Sequence, residues 1–406
     1  MVYPALTGIR VLECASHVAG AYCGRLLADA GAYVIKVERP DGGDALRQEG
    51  PFPGDTPSVE TSLLHQYVNA NKQSVTLDAA TRQGKQLLTK LCAIADVIVE
   101  ERPGSCFDQA SLHYSDIHNA NPLTVVLTIS PFGQHGPKST WKGYGLTVEQ
   151  ASGMGWLTHT GLSRRLFPDR QPLMMGGHIG EYFVAFTGAA AVMFGLFARI
   201  ATGQGQHIDL SSQDALVSLE RGPISIYANQ NLLETPQTRD FPYGGCFPCV
   251  NGYVEILAHE DHHWAGLTQM IGRPEWSRDP EWAVRQSRVK RAAEIQATIE
   301  SWARTHTRQE IYECGLRCGV PVGAFCSPSE VIACEHERFR GFFEPLAHLE
   351  IPQIKGIPSL PFIVAPLPAQ ACRRAPHLGE HNQDVYCGLL GASRRDLTSL
   401  RQASVI

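Results

Sequence analysis

The residue in this 406-residue chain best placed for chemistry is Glu181. It follows the glycine-rich run MMGGHIG (174–180) and precedes the apolar stretch Phe183–Ala198. A helix starting here offers unpaired backbone N–H groups in its first turn, which favour an ionised carboxylate. Gly176, Gly177, Gly180 and Gly188 leave space for a ligand to approach. Two readings stay open at this point: an acid that serves only the helix start, or a carboxylate presented to a ligand. His178, three residues earlier, adds an acid–base group.

Other candidates are weaker. Cys246-x2-Cys249 followed by His259-x2-His262 has the residue types of a zinc site. The strand GYVEIL between the pairs must return the histidines to the thiols, and Pro248 separates the two cysteines, so no metal site is predicted. Cys314 and Cys318 stand at helical spacing and read as buried helix residues. Twelve scattered cysteines fit reduced thiols rather than a disulfide framework. Lys36, Glu38, Arg39 and Arg47 gather near the end of an apolar strand, where open α/β sheets take ligands. They read equally as ligand-binding charges or as a solvated cluster. No G-x-G-x-x-G follows the first strand; Ser16-His17-Val18-Ala19-Gly20 stands there, which argues against a dinucleotide cofactor bound by that fingerprint.

The elements that must position these residues alternate along the chain. Gly8–Cys14 reads as a strand, Ala21–Gly31 as a helix, and Ala32–Glu38 as a second strand, giving a βαβ unit. The pattern recurs with Ser74–Asp78, a helix over Thr81–Ala95, Asp96–Glu101, a helical Ser115–Asn121 and the strand Leu123–Ser130. This predicts an α/β fold with a parallel, doubly wound sheet. Residues 130–180 read as loops, and Phe183–Ala198 as a buried core helix too short for a membrane span. A glycine turn then feeds a strand ending near Ser211, with a helix from Asp214. Residues 229–329 read as a smaller α+β domain, with a hairpin at Asn251-Gly252, helix over Pro280–Arg304 and a helix start at THTRQE. Ile357–Ala369 reads as extended, and the last ten residues as a short helix. The charge of −5 and 43% hydrophobic content exclude a broadly basic nucleic-acid or membrane-surface binder and a disordered chain. The first twenty residues do not read as a signal peptide, which predicts a cytoplasmic protein.

The order of these pieces is informative as a whole. LTGIRVLECASHVAGAYCGRLLADAGAYVIKVERPDGGD, NANKQSVTLD, ADVIVEERPG, ISPFGQHGP, GYGLTVEQASG, HIGEYFVAFTGAAAVMFGLFARIATGQGQHIDLS and APHLGEHN together resemble the class III CoA-transferases, the CaiB/BaiF type that includes formyl-CoA and carnitine CoA-transferases. The resemblance runs from Leu6 to nearly the C-terminus.

It implies a large Rossmann-like domain (1–228 and 330–406) with its parallel sheet formed from both chain ends, and a smaller inserted α+β domain (229–329). It also implies an interlocked homodimer. The substrates implied are acyl-CoA and a small carboxylic acid, with coenzyme A as the carried group and no metal. The family's nucleophilic aspartate aligns with Glu181, whose extra methylene moves the carboxylate by about 1 Å. The implied CoA contacts are His17, Val18, Ala19, Arg39, Leu77, Arg102, Lys142 and Tyr144. A further family arginine falls near Asp108, an acid that repels phosphate. The glycine loop covering the active site in some relatives is reduced to Tyr243-Gly244-Gly245-Cys246. The fold also hosts α-methylacyl-CoA racemases and lyases, but the racemase histidine position holds Tyr144, a poor base near neutrality. A non-catalytic CoA-binding subunit, paired with a homologous chain in a heteromer, is the remaining alternative.

Overall fold

The computed structural model describes residues 4–158, 160–236, 238, 241–258, 260–346, 351, 354, 356–365 and 371–406. Two compact units share the chain: residues 1–154, 174–221 and 335–406 form the first, and 155–173 with 222–334 the second. The second unit thus starts earlier than residue 229 and takes in 155–173 as well.

In the first unit, six strands form one all-parallel sheet: β1 (Arg10–Cys14), β2 (Tyr33–Glu38), β3 (Gln73–Thr76), β4 (Val97–Glu101), β5 (Val125–Ser130) and β6 (His207–Ser211), in the order β3-β2-β1-β4-β5-β6. The apolar runs of β1 to β5 are buried on both faces, as a sheet covered by crossover helices requires, whereas edge strand β6 is partly exposed. The helices of this half and its continuation are α1 (Val18–Asp29), α2 (Leu63–Val68), α3 (Arg82–Ile94), α4 (Cys106–Ala110), α5 (Tyr114–Ala120), α6 (Gly145–Ser152), α7 (Gly161–Leu166), α8 (Ile179–Thr202) and α9 (Ser212–Val217). Short helices α6 and α7 therefore interrupt the stretch 130–180 that the glycines suggested was loop, and α7 belongs to the second unit.

All six strands come from residues 10–211, so the sheet is not assembled from both chain ends. The C-terminal segment instead supplies packing. Val385, Tyr386, Leu397 and Val405 join Leu88, Leu91, Ile98 and Val126 in the core on one face of the sheet. Asn382 and the Tyr386 hydroxyl hydrogen-bond Thr76, covering edge strand β3.

On the opposite face α1 and α8 pack with Val99, Leu127 and Ile129. A Cβ on Gly188 would stand 3.1 Å from Leu127, and one on Gly195 2.6 Å from Val125. Gly188 therefore lets α8 sit close to β5 and leaves no ligand space. The helix is buried on that side only: Phe194, Phe197 and Ile200 are 75%, 76% and 82% exposed. Among the described residues it is the one helix long and apolar enough to cross a membrane, but Val184, Ala185 and Val192 are committed to the sheet core.

The second unit contains an antiparallel sheet of β7 (Gly245–Cys249), β8 (Gly252–Ile256) and β9 (Val322–Ala324). The predicted hairpin forms, but Cys249 pairs with Gly252, so its two-residue turn is Val250-Asn251, one position earlier than Asn251-Gly252. Residues 280–304 break into three short helices rather than one, Pro280–Ala283, Arg285–Lys290 and Ala292–Ala303. Thr307 and Glu310 form the capping box that starts the helix Arg308–Cys318. The segment from Ile357 pairs briefly as an antiparallel strand with Phe343–Pro345; residues 366–370 lie outside the described residues.

Candidate active-site cleft

The carboxyl ends of β1, β4, β5 and β6 open onto a cleft of about 700 Å³, beside the switch in strand order between β1 and β4. Open α/β sheets take ligands at this position. Glu101 at the end of β4, residues Ile129–Pro131 after β5, Lys142–Gly145 before α6 and the first turn of α8 form its walls.

Glu181 reaches the cleft from α8. The helix begins at His178, whose backbone is left-handed (φ 61°, ψ 24°) and follows Gly177 at φ 72°. His178 Nδ1 lies 2.6 Å from Glu181 Oε2, and its Nε2 lies 3.4 Å from Glu49 Oε1. Glu181 Oε1 makes no hydrogen bond to a described residue. The backbone of Gly145 lies beside this carboxylate; a Cβ there would be in ordinary contact with it, 3.4 Å from Oε2. Burial raises the Glu181 carboxyl above the ordinary carboxylate range, opposed chiefly by the hydrogen bond from His178. The expectation that the helix end keeps this acid readily ionised is corrected: loss of water outweighs it.

The N-terminus of α1 is already occupied. Glu101 Oε2 accepts from the backbone N–H groups of Ser16 (3.1 Å) and His17 (2.9 Å), and Oε1 from that of Gly20 (3.1 Å). A carboxylate thus fills the position in which a Rossmann glycine loop holds a diphosphate. The missing glycine fingerprint has its physical counterpart here. Glu149 of α6 is buried at the cleft wall; Oε1 accepts from the Met175 N–H (2.6 Å), and Oε2 has no hydrogen-bond partner.

Six of the sequence-predicted site residues line this cleft: Glu181, His17, Ala19, Arg102, Lys142 and Tyr144. Lys142 is exposed and makes no ion pair with a described residue. Tyr144 is 68% exposed at the start of α6. Arg102 is spoken for: its Nε donates to Glu100 (3.0 Å), Nη1 lies 3.2 Å from Asp108, and Nη2 donates to the Leu112 carbonyl (3.3 Å). Asp108 is therefore not an unopposed negative charge.

Three predicted contacts are not in the cleft. Val18 is buried against Leu46 and Val68. Leu77 is core on the far face of the sheet. Arg39 projects into solvent, 60% exposed, and is held by both Asp41 oxygens (2.8 and 2.6 Å). Its neighbours Lys36, Glu38 and Arg47 form no solvated patch. Lys36 bridges Glu13 (2.9 Å) and Asp44 (2.6 Å), while Arg47 holds Glu38 (2.6 Å), all fully or nearly fully buried. Ligand atoms of Glu38, Asp44 and His65 lie within 4.8 Å of one another, but those cations already balance the carboxylates.

In the second unit, Tyr243 is buried in the core and Gly245-Cys246 begins β7, so this tetrad is the entry to a hairpin. Cys246 and Cys249 belong to that strand, His262 lies on the helix Asp261–Met270, and His259 lies outside the described residues. Cys314 and Cys318 pack partly buried against the same core. Sequence reasoning did not single out Glu49, Glu101 or Glu149. Glu101 carried a faint signal, as a second acid at the end of an apolar strand; Glu49 and Glu149 carried none.

A cleft at the switch point of a parallel sheet, here lined by a partly buried carboxylate, is where α/β enzymes place their ligands. The comparisons specify which kind. A sequence model of CoA-transferase family III matches residues 6–382. The chain is 32% identical to the formyl-CoA:oxalate CoA-transferase of Streptomyces coelicolor, over 100% of both chains. It is 30% identical to the succinyl-CoA–D-citramalate CoA-transferase of Chloroflexus aurantiacus, over 99% of this chain and 98% of the other. The crystal structure of a CaiB/BaiF family protein from Brucella suis superposes with a TM-score of 0.81 at 26% identity, covering 96% of this chain and all of the other. The chain belongs to CoA-transferase family III, and is an enzyme of the acyl-CoA:carboxylate CoA-transferase type.

Proposed function

We propose that this enzyme moves CoA from an acyl-CoA thioester to a small carboxylic acid through covalent intermediates on Glu181. The observation that carries this reading is the Glu181 carboxylate in the cleft with one oxygen hydrogen-bonded and the other free. Oε1 attacks the thioester carbonyl, giving a mixed anhydride and CoA thiolate. The thiolate then attacks Cδ of Glu181, forming a glutamyl-CoA thioester and releasing the donor acid. The acceptor carboxylate attacks that same carbon, forming a second anhydride and freeing the thiolate again. Thiolate attack on the acceptor's carbonyl yields the new acyl-CoA and restores Glu181. Lys142, Tyr144, His17 and Ala19 are the contacts proposed for the CoA arm. Arg102 contributes only through the part of its guanidinium that Glu100 and Asp108 leave available. For Val18 and Leu77 the proposed contact is through backbone, and for Arg39 it requires exchange of Asp41 for phosphate.

The working form proposed is a homodimer, interlocked as the family resemblance implies. The exposed apolar face of α8 supports it, since Phe194, Phe197 and Ile200 leave a large apolar patch in water. Sedimentation of wild type and Phe197→Asp tests it: the dimer should weaken in the variant.

Intact-protein mass spectrometry under turnover tests the chemistry. A CoA adduct mapping to Glu181 is expected in wild type and absent in Glu181→Gln. Unmodified wild type during measured transfer would overturn the covalent route.

A further inference from the structure

The pair His178–Glu181 carries one step more, resting on the reading of Glu181 as nucleophile. Oε2 is the oxygen that His178 Nδ1 approaches to 2.6 Å, and Oε1 is the one left to attack. Once Oε1 has bonded to the acyl carbon, Oε2 becomes the carbonyl oxygen of the glutamyl group. When CoA thiolate adds to Cδ, the carbonyl electron pair moves onto Oε2, and collapse of the tetrahedral adduct expels the acyl carboxylate. The acceptor's attack on the thioester repeats the same charge movement with thiolate as the leaving group. A hydrogen-bond donor fixed at Oε2 is thus placed for every addition to the glutamyl carbon.

We propose that His178 is the oxyanion donor for Glu181, with its Nδ1–H on Oε2 and its ring orientation fixed by Glu49 at Nε2.

Three features of the site fit this role. The imidazole has a carboxylate near each ring nitrogen, Glu181 at 2.6 Å from Nδ1 and Glu49 at 3.4 Å from Nε2, and an ionised carboxylate only accepts, so the short contact is Nδ1–H to Oε2. His178 is held in the left-handed region at the first turn of α8, a conformation unusual for a non-glycine residue and often kept at functional sites. Oε1 makes no hydrogen bond to a described residue, so the histidine contact falls on one oxygen and leaves the other open. The charged groups around Glu181 come from several elements. His178 is the N-cap residue of α8, Glu49 belongs to the segment before α2, His17 to the loop before α1, Glu101 to β4, Glu149 to α6 and Lys142 to the loop before it. Among these the histidine is the one that touches the reacting carboxyl.

His178→Gly removes the ring and relieves the left-handed backbone, and His178→Asn keeps a side chain that tolerates that backbone and offers an N–H. The expected loss in kcat for His178→Gly is on the order of 10²–10³-fold, the scale for one oxyanion donor, with KM for acyl-CoA little changed. Added imidazole should restore part of the rate, His178→Asn should retain part, and the acid limb of the kcat/KM profile should move to higher pH. Thermal melting and CoA binding establish that the variants are folded. Full kcat in folded His178→Gly, or a loss that neither imidazole nor asparagine relieves, would overturn the proposal. The Glu181 adduct in wild type separates the two failures: without it the nucleophile reading fails, whereas with it and an unaffected His178→Gly only the oxyanion role fails.

Discussion

α1 and α8 pack against each other on one face of the sheet, and each brings a glutamate to its N-terminus at the same cleft. At α1 the glutamate is Glu101, arriving from β4, and three backbone N–H groups take both of its oxygens. At α8 it is Glu181 from the helix itself, with one oxygen held by a single histidine and the other free. Two like residues in like electrostatic settings thus differ in coordination: one is a structural anchor, and the other is the residue proposed as nucleophile. Three backbone donors spread the anchor's charge over fixed partners and engage both of its oxygens. Glu181 is partly desolvated and has a single histidine partner, which fits the role proposed for it. The lesson concerns coordination rather than residue type.

Breaking the α8 side should have the larger effect. Glu181→Gln is expected to lower turnover by on the order of 10⁴-fold or more, as for loss of a nucleophile, measured by chromatographic assay of acyl-CoA exchange. Glu181→Asp asks whether the site is built for the longer acid. Withdrawal of the carboxylate by about 1 Å should cost on the order of 10²-fold, and activity equal to wild type would mean that the His178 contact does not define the reactive position.

On the α1 side, Glu101→Ala leaves three helix-end N–H groups without their acceptor. A stability loss of about 1–3 kcal/mol is expected, read by denaturant unfolding, together with a changed cleft wall. The pH response sharpens the contrast further. The proposed mechanism needs Glu181 ionised, and burial places its titration above the ordinary range. Activity should therefore fall on acidification at a higher pH than an exposed carboxylate would give, in kcat/KM profiles for wild type against Glu101→Gln. The smallest effect is expected from Asp108→Ala. It releases Nη1 of Arg102 and should tighten CoA binding a few-fold, about 0.5–1 kcal/mol for an exposed pair, by titration calorimetry.

The buried ion network around Lys36 and Arg47 marks where sequence reading stops. In the sequence, Lys36, Glu38, Arg39 and Arg47 form one cluster. In the fold three are sealed inside and one is in solvent, because Lys36 and Arg47 meet Glu13, Asp44 and Glu60, which are distant or unremarkable in the chain. Likewise, Leu77 and Val18 lie where the family pattern suggests ligand contact, yet their side chains turn into the core.

The sequence by itself determined the strand–helix alternation, the family, and the identity of Glu181 as the acid before a long apolar helix, since these depend on local periodicity and on the order of motifs. Only the tertiary structure decided which oxygen of Glu181 is free and that Glu101 closes the phosphate position at α1. It also decided that the C-terminus packs on the sheet without joining it, and that one side of α8 is left bare. The first rests on the rotamers of two neighbours, His178 and Glu181; the others depend on contacts between residues tens to hundreds of positions apart, such as Glu101 with His17 or Asn382 with Thr76, and no local pattern encodes such a meeting.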